Sequence, residues 1–195
     1  LFALLDSAVA AQPVAPPDPP ALAAGIYEFI VERLRAWYLE RPELTVEIFE
    51  SVRARKPASL LDFDQRLKAV AAFARLDDAA SLAAANKRIG NILRQAGETG
   101  AEGKLDPGKL SEPAEQRLHA AMQAAKVTLA PLVAERAYTE ALTALAALRE
   151  PVDRFFDDVM VMTEDQQLQK NRLALLAELR GLFLDIADVS RLSIG

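Results

Sequence analysis

The residues with the most chemical promise in this sequence lie in one run, Ala84-Ala85-Asn86-Lys87-Arg88-Ile89-Gly90-Asn91-Ile92-Leu93-Arg94. On a helix, Lys87, Asn91 and Arg94 fall at i, i+4 and i+7 and share an exposed face, while Ile89, Ile92 and Leu93 face inward. A cation, an amide and a second cation on one rigid face suit phosphates and the edge of a base. The same spacing also suits a solvated stripe. Gly90 costs such a helix about 1 kcal/mol relative to alanine, so its place there implies close approach of another backbone or helix.

Elsewhere the residue types that carry catalysis are scarce. The single His119 sits beside Leu118 and Met122 with no second histidine to complete a metal site, and reads as an ordinary helix residue. Asp157-Asp158 and Glu164-Asp165 are adjacent carboxylates, which point in different directions on a helix and rarely close around an ion. No glycine-rich phosphate loop of either common pattern is present. No cysteine is present, which removes disulfides and thiol nucleophiles and fits a reducing cytoplasm. The expectation is a chain with no catalytic, cofactor-binding or metal site of its own.

The formal net charge is −5, yet residues 53–94 hold nine Lys/Arg against four acids, a net of +5, so the remainder must sum to −10. A basic block inside an acidic chain suits a local phosphate footprint, because only the docking face needs to be positive. Ordinary solvated helix faces account for the same count.

These residues need elements to hold them, and prolines and apolar periodicity mark those elements out. At 195 residues and 51% hydrophobic content the chain can bury a core. No apolar run approaches the length a bilayer requires, and Leu1-Phe2-Ala3-Leu4-Leu5 has neither the basic flank nor the length of a signal peptide. The lack of an initial methionine suggests a piece of something longer. Residues 1–11 read as the tail of a preceding helical domain, and residues 12–24, with their run of prolines, as a semi-rigid linker. Residues 25–97 form a helical subdomain with a basic face. Its first helix spaces Tyr27, Ile30, Val31, Leu34, Trp37 and Tyr38 along one side and closes at Pro42. Thr45 caps a second helix presenting Val46, Phe49 and Val52. A third opens at Asp62, with Gln65 reaching back to complete the cap, and buries Leu67, Val70 and Phe73. The fourth runs from about Asp78 to Ala96, with Gly97 as its left-handed stop.

Residues 98–112, rich in glycine and including Asp106-Pro107-Gly108, read as a mobile loop. Residues 113–195 then form a bundle of antiparallel helices with short connections. Pro113 starts the first of these and Pro131 kinks or restarts it. Leu142, Leu145 and Leu148 mark another, Pro151 opens one over 152–159, and a long last helix covers roughly 165–189. No stretch alternates with period two. The fold class is therefore all-α.

Three separated stretches carry a family resemblance. Asn86-Lys87-Arg88-Ile89-Gly90-Asn91-Ile92-Leu93, the earlier Leu61-Asp62-Phe63-Asp64-Gln65-Arg66-Leu67-Lys68-Ala69-Val70, and Phe155-Phe156-Asp157-Asp158-Val159-Met160-Val161-Met162 followed by Asn171-Arg172-Leu173-Ala174-Leu175-Leu176 are similar to the C-terminal region of the bacterial glycyl-tRNA synthetase β subunit. The resemblance spans essentially the whole chain. From about residue 84 onward the layout also resembles the helical anticodon-binding domain of arginyl-tRNA synthetases, the DALR type.

The resemblance implies an all-α, DALR-like bundle with an additional N-terminal helical subdomain, residues 1–11 being the tail of the family's HD-type domain. It implies a tRNA anticodon-region module inside an α2β2 ligase that joins glycine to its tRNA with ATP. ATP is then used by the holoenzyme, with no cofactor held in this chain and no membrane partner. Partners are glycine tRNA, the synthetase α subunit and the rest of the β subunit, in the cytoplasm. Every glycine anticodon ends in two cytosines, whose edges offer one amine donor and two acceptors. Lys87, Arg88, Asn91 and Arg94 are the first-choice donors and Asn171 and Arg172 the second, with Phe155 or Phe156 to stack on a base. The alternative is a helical scaffold that docks another subunit or domain without touching RNA.

Overall fold

The computed structural model describes residues 1–14, 16–97 and 104–194. Helices in chain order are α1 (Phe2–Ala10), α2 (Pro19–Tyr38), α3 (Val46–Arg53), α4 (Leu60–Phe73), α5 (Ala79–Ala96), α6 (Pro113–Ala134), α7 (Tyr138–Ala146), α8 (Arg149–Asp158) and α9 (Gln166–Leu184), with single 3-10 turns at Pro107–Lys109 and Val189–Arg191. No strand occurs among the described residues. The fold class is all-α, as the sequence indicates.

Local signals explain several helix ends. The Thr45 hydroxyl accepts the Ile48 amide at 3.4 Å and starts α3. Asp165 accepts the amides of Gln167 and Leu168 and starts α9. Glu112 and Glu115 form a reciprocal capping box ahead of Pro113. Gly97 ends α5 at φ 70°, where a side chain would strain the backbone. Pro131 stays inside α6, which runs through it to Ala134.

Several boundaries differ from expectation. The α2 helix begins at Pro19, because Asp18 caps it and the prolines at its first turn have no amide that the helix would need. The segment read as a linker to residue 24 is therefore helical from 19 onward. Residues 1–11 do not stand apart, since Leu5 and Val9 are buried and the Phe2 ring stacks on Tyr27 at 4.6 Å. Ser59, rather than Asp62, caps α4. Asp62 is the third residue of that helix and points into the protein. The final helix stops at Leu184, short of 189.

One contiguous core runs from Leu5 to Leu192. Helix α4 packs on α7, and α5 packs on α8, α9 and the 3-10 turn at Val189–Arg191. The expected division at residue 97 thus places α5 in the wrong half, since its neighbours lie in the C-terminal bundle. A polar knot fixes the halves to each other. Tyr138 donates to Asp62 Oδ1 at 2.6 Å, and Arg66 bonds Asp62 Oδ2 at 2.8 Å and the carbonyls of Asp185 and Ile186 at 2.7 and 2.6 Å. The guanidinium also lies 4.4 Å over the Tyr138 ring. Burial, reinforced by the bond to Asp62, pushes the Tyr138 hydroxyl pKa up.

Candidate nucleic-acid interface

Helix α5 turns Leu82, Ala83, Ala85, Asn86 and Ile89 inward. Lys87, Asn91 and Arg94 are exposed on the opposite side, as their spacing requires. They line an open groove of about 580 Å³ together with Gly90, Arg180 of α9 and Ser190. Arg94 Nη2 donates to Asn91 Oδ1 at 3.3 Å, so the amide and the guanidinium are held side by side. Among the described residues no carboxylate lies within 4 Å of the Lys87 or Arg94 cationic groups.

What approaches Gly90 is a side chain rather than a backbone, at ordinary contact distance that an alanine would also accept. A Cβ there would sit 3.6 Å from Arg180 Nε, and the other near atoms belong to the same guanidinium. Arg180 crosses from α9 onto α5 at this point. Its Nε is buried with no hydrogen-bond partner among the described residues, and its Nη2 is 3.6 Å from Asp188 Oδ1. Asp188 is shared with Arg191 and with the Ser190 hydroxyl, at 3.1 and 2.5 Å. Lys87, Arg94 and Arg180 therefore face the groove with one distributed carboxylate behind them. An anion fits this charge pattern.

Arg88 leaves the groove. Its guanidinium lies 4.2 Å over the Phe156 ring of α8, a cation–π contact on the adjacent side of α5. Phe155 is fully buried, on the inward face shared with Val152 and Val159, and its ring meets Phe156 edge-on at 5.5 Å. It cannot stack on a base. Its neighbour Phe156, half-buried beneath Arg88, is the ring nearer the surface.

Asn171 and Arg172 also fall outside the exposed surface, each 5% accessible. The Asn171 amide brackets Asp106, accepting its N–H at 2.8 Å and donating to its carbonyl at 3.0 Å. Arg172 donates to Glu115 Oε1 at 2.5 Å and to the Met160 carbonyl at 2.9 Å. Glu115 is itself fully buried and completes the capping box of α6. With these donors occupied in the interior, neither residue is available to RNA. Six consecutive buried residues, Asn171 to Leu176, show that this stretch of α9 is packed on every side. The apolar run Leu173 to Leu176 signals burial for its own turn, but Asn171 and Arg172 follow the polar-rich stretch Gln166 to Lys170, and nothing local marks them as interior.

The bracket at Asp106 overturns the reading of residues 98–112 as one loose loop. Residues 98–103 lie outside the described residues. From residue 104 the chain is fixed, with Leu105 and Leu110 buried and Pro107–Lys109 forming a 3-10 turn. The basic block is likewise not one field. Arg53 pairs with Glu28, Glu32 and Glu50, all outside the block, Lys68 pairs with Asp64, and Arg66 is spent in the knot. Among the described residues, its share on α5 without a carboxylate within 4 Å is Lys87, Arg88 and Arg94.

Arg180 is the groove residue that sequence reasoning misses. Gly90 hints that something approaches, but nothing local names a partner ninety residues away. His119 meets Gln123 at 3.1 Å, and no group of three or more His, Asp or Glu that could hold a metal occurs among the described residues. Nor is any described helix long and apolar enough to cross a membrane.

Residues 82–187 match the family described as the DALR anticodon binding domain. The chain is 52% identical over 169 residues to the glycine–tRNA ligase beta subunit of Ectopseudomonas mendocina, a match covering 87% of this chain and 24% of that protein. Identity is 49% over 172 residues with the protein of the same name from Pseudomonas fluorescens, covering 88% and 25%. It is 52% over 167 residues with that of Photorhabdus laumondii, covering 86% and 24%. The chain thus spans about a quarter of the length of the curated relatives it matches. Lys87, Asn91, Arg94 and Arg180 all lie within the matched residues.

Proposed function

Because the chain belongs to the DALR anticodon binding domain family, we propose that it is the anticodon-region module of a glycine–tRNA ligase beta subunit, and that the α5 and α9 groove holds the anticodon loop. The observation that carries this reading is the pairing of Arg94 with Asn91 in a groove lined also by Lys87, which has no carboxylate within 4 Å among the described residues, and by Arg180, which shares Asp188 with Arg191. A cytosine edge offers an exocyclic amine to an acceptor and two acceptors to donors. Asn91 Oδ1 supplies the acceptor and the Arg94 guanidinium the donors. Lys87 and Arg180 take the flanking phosphates, which position the strand without reading it. Arg88 on Phe156 offers a planar cation beside the groove on which an unstacked base rests.

In this reading the aminoacylation chemistry and its ATP belong to the assembled cytoplasmic ligase, in which the α subunit and the rest of the β subunit are this chain's protein partners. This chain contributes tRNA binding. The test is titration of glycine tRNA at several salt concentrations, beside a transcript with altered anticodon cytosines. Arg94→Ala or Lys87→Ala is expected to weaken binding by about 1 to 3 kcal/mol each and to flatten the salt dependence. Asn91→Ala is expected to reduce discrimination between the transcripts more than total affinity. If both cation variants bind as tightly as the parent at low and moderate salt, the groove is not the site.

A further inference from the structure

A second cluster of cations lies at the other end of α9. Lys104 and Lys109, on the chain that leads into α6, converge with Lys170 of α9 on an open pocket of about 330 Å³. Two segments far apart in sequence supply the three ammonium groups, and the buried Asn171 amide locks those segments together at Asp106. Lys109 Nζ donates to Gln167 Oε1 at 3.2 Å and lies 3.9 Å from Asp106 Oδ2. The Asp106 carboxylate is also engaged by the Gly108 amide at 3.0 Å. Among the described residues no carboxylate lies within 4 Å of the Lys104 or Lys170 ammonium.

Three ammonium groups against the single Asp106 carboxylate leave the pocket net positive, and a multivalent oxyanion relieves the repulsion that remains. Ammonium groups on flexible stems act as point charges, which suits phosphate and not the edge of a base. We propose that Lys104, Lys109 and Lys170 form a phosphate site, separate from the anticodon groove, that grips the tRNA backbone whatever its sequence. Lys170 and Arg180 are ten residues apart, roughly 15 Å along the helix, so one strand can reach both. Asn171 acts here as a positioning residue, since it holds the segment that carries two of the three lysines.

This proposal rests on the tRNA reading above, and its test separates the two. Glycine tRNA and a transcript with altered anticodon cytosines are titrated at several salt concentrations into the full-length subunit carrying K104A, K109A and K170A. The corresponding triple arginine variant and tripolyphosphate are run alongside. Affinity for both transcripts is expected to fall by the same factor, about tenfold at moderate salt, and the log–log salt slope to become shallower by about 2, or roughly 0.7 per single-strand phosphate contact. The arginine triple restores most of the loss, and the denaturation midpoint of the alanine triple stays with the parent. Unchanged affinity and slope overturn the proposal, as does a loss confined to the cognate transcript. Tripolyphosphate binding that the alanine triple abolishes, with tRNA affinity intact, assigns the pocket to a free polyphosphate and also overturns it. If the parent binds neither transcript, the tRNA reading has failed, and the backbone grip proposed here falls with it.

Discussion

The outer face of α5 and the N-terminal third of α9 carry the same chemistry, an asparagine and arginines on one helix, and the fold uses them in opposite ways. On α5, Asn91 and Arg94 bond each other and leave their remaining donors to solvent. On α9, Asn171 and Arg172 spend their donors on Asp106, Glu115 and Met160 inside the protein. The difference comes from what surrounds each helix. Helix α5 is apolar on one side only, so its polar stripe stays wet. Helix α9 is enclosed over residues 171–176, and a polar group there must find an internal partner or cost the fold its full desolvation. Residue type therefore distinguishes nothing until the neighbours on every side of the helix are counted.

The comparison breaks most visibly at Arg172. Arg172→Ala leaves Glu115 as a buried, uncompensated charge, and stability is expected to fall by about 3 to 5 kcal/mol. Chemical denaturation measures it, and the exposed Arg94→Ala, expected to stay within about 0.5 kcal/mol, is its control. Equal losses from the two arginines would erase the distinction between the regions. A smaller effect is expected at Asn171. Asn171→Ala strips the Asp106 amide and carbonyl of their partners, for a loss of about 1 to 3 kcal/mol. Hydrogen exchange at the Asp106 amide should accelerate by more than the global destabilisation accounts for, because the segment is released locally. Smallest, and opposite in sign, is Gly90→Ala. The added methyl makes ordinary contact with the Arg180 guanidinium, the backbone is helical, and the helix gains up to about 1 kcal/mol. A destabilised variant would mean that Arg180 cannot yield, and that the groove is stiffer than its open shape suggests.

What the sequence made legible follows the range of each signal. Thr45, Gly97 and Pro113 mark helix ends through contacts within four residues, and all three act there. The exposed face of α5 follows from periodicity alone. Asp62 suits a cap by type, while its partners in the fold, Tyr138 and Arg66, include one 76 residues away. Residues 104–110 read as loose because Asp106-Pro107-Gly108 is a local turn signal. Their anchor, Asn171, lies 65 residues on. The role of Arg180 is not legible in the sequence for the same reason. Phe155 and Phe156 differ only in which side of α8 they take, and the spacing of Val152 and Val159 already favoured Phe155 as the inward one.

The knot of Asp62, Arg66 and Tyr138 has a consequence for cooperativity. The matched residues begin at 82, yet Asp62 and Arg66 precede that point and bond both Tyr138 and the carbonyls that follow α9. A chain cut at residue 82 would leave Tyr138 without its acceptor, two carbonyls without their donor, and the side of α7 that faces α4 bare. The unit expected to melt in one transition is therefore larger than the matched domain of residues 82–187, and the helices before α5 belong to it as fully as those after.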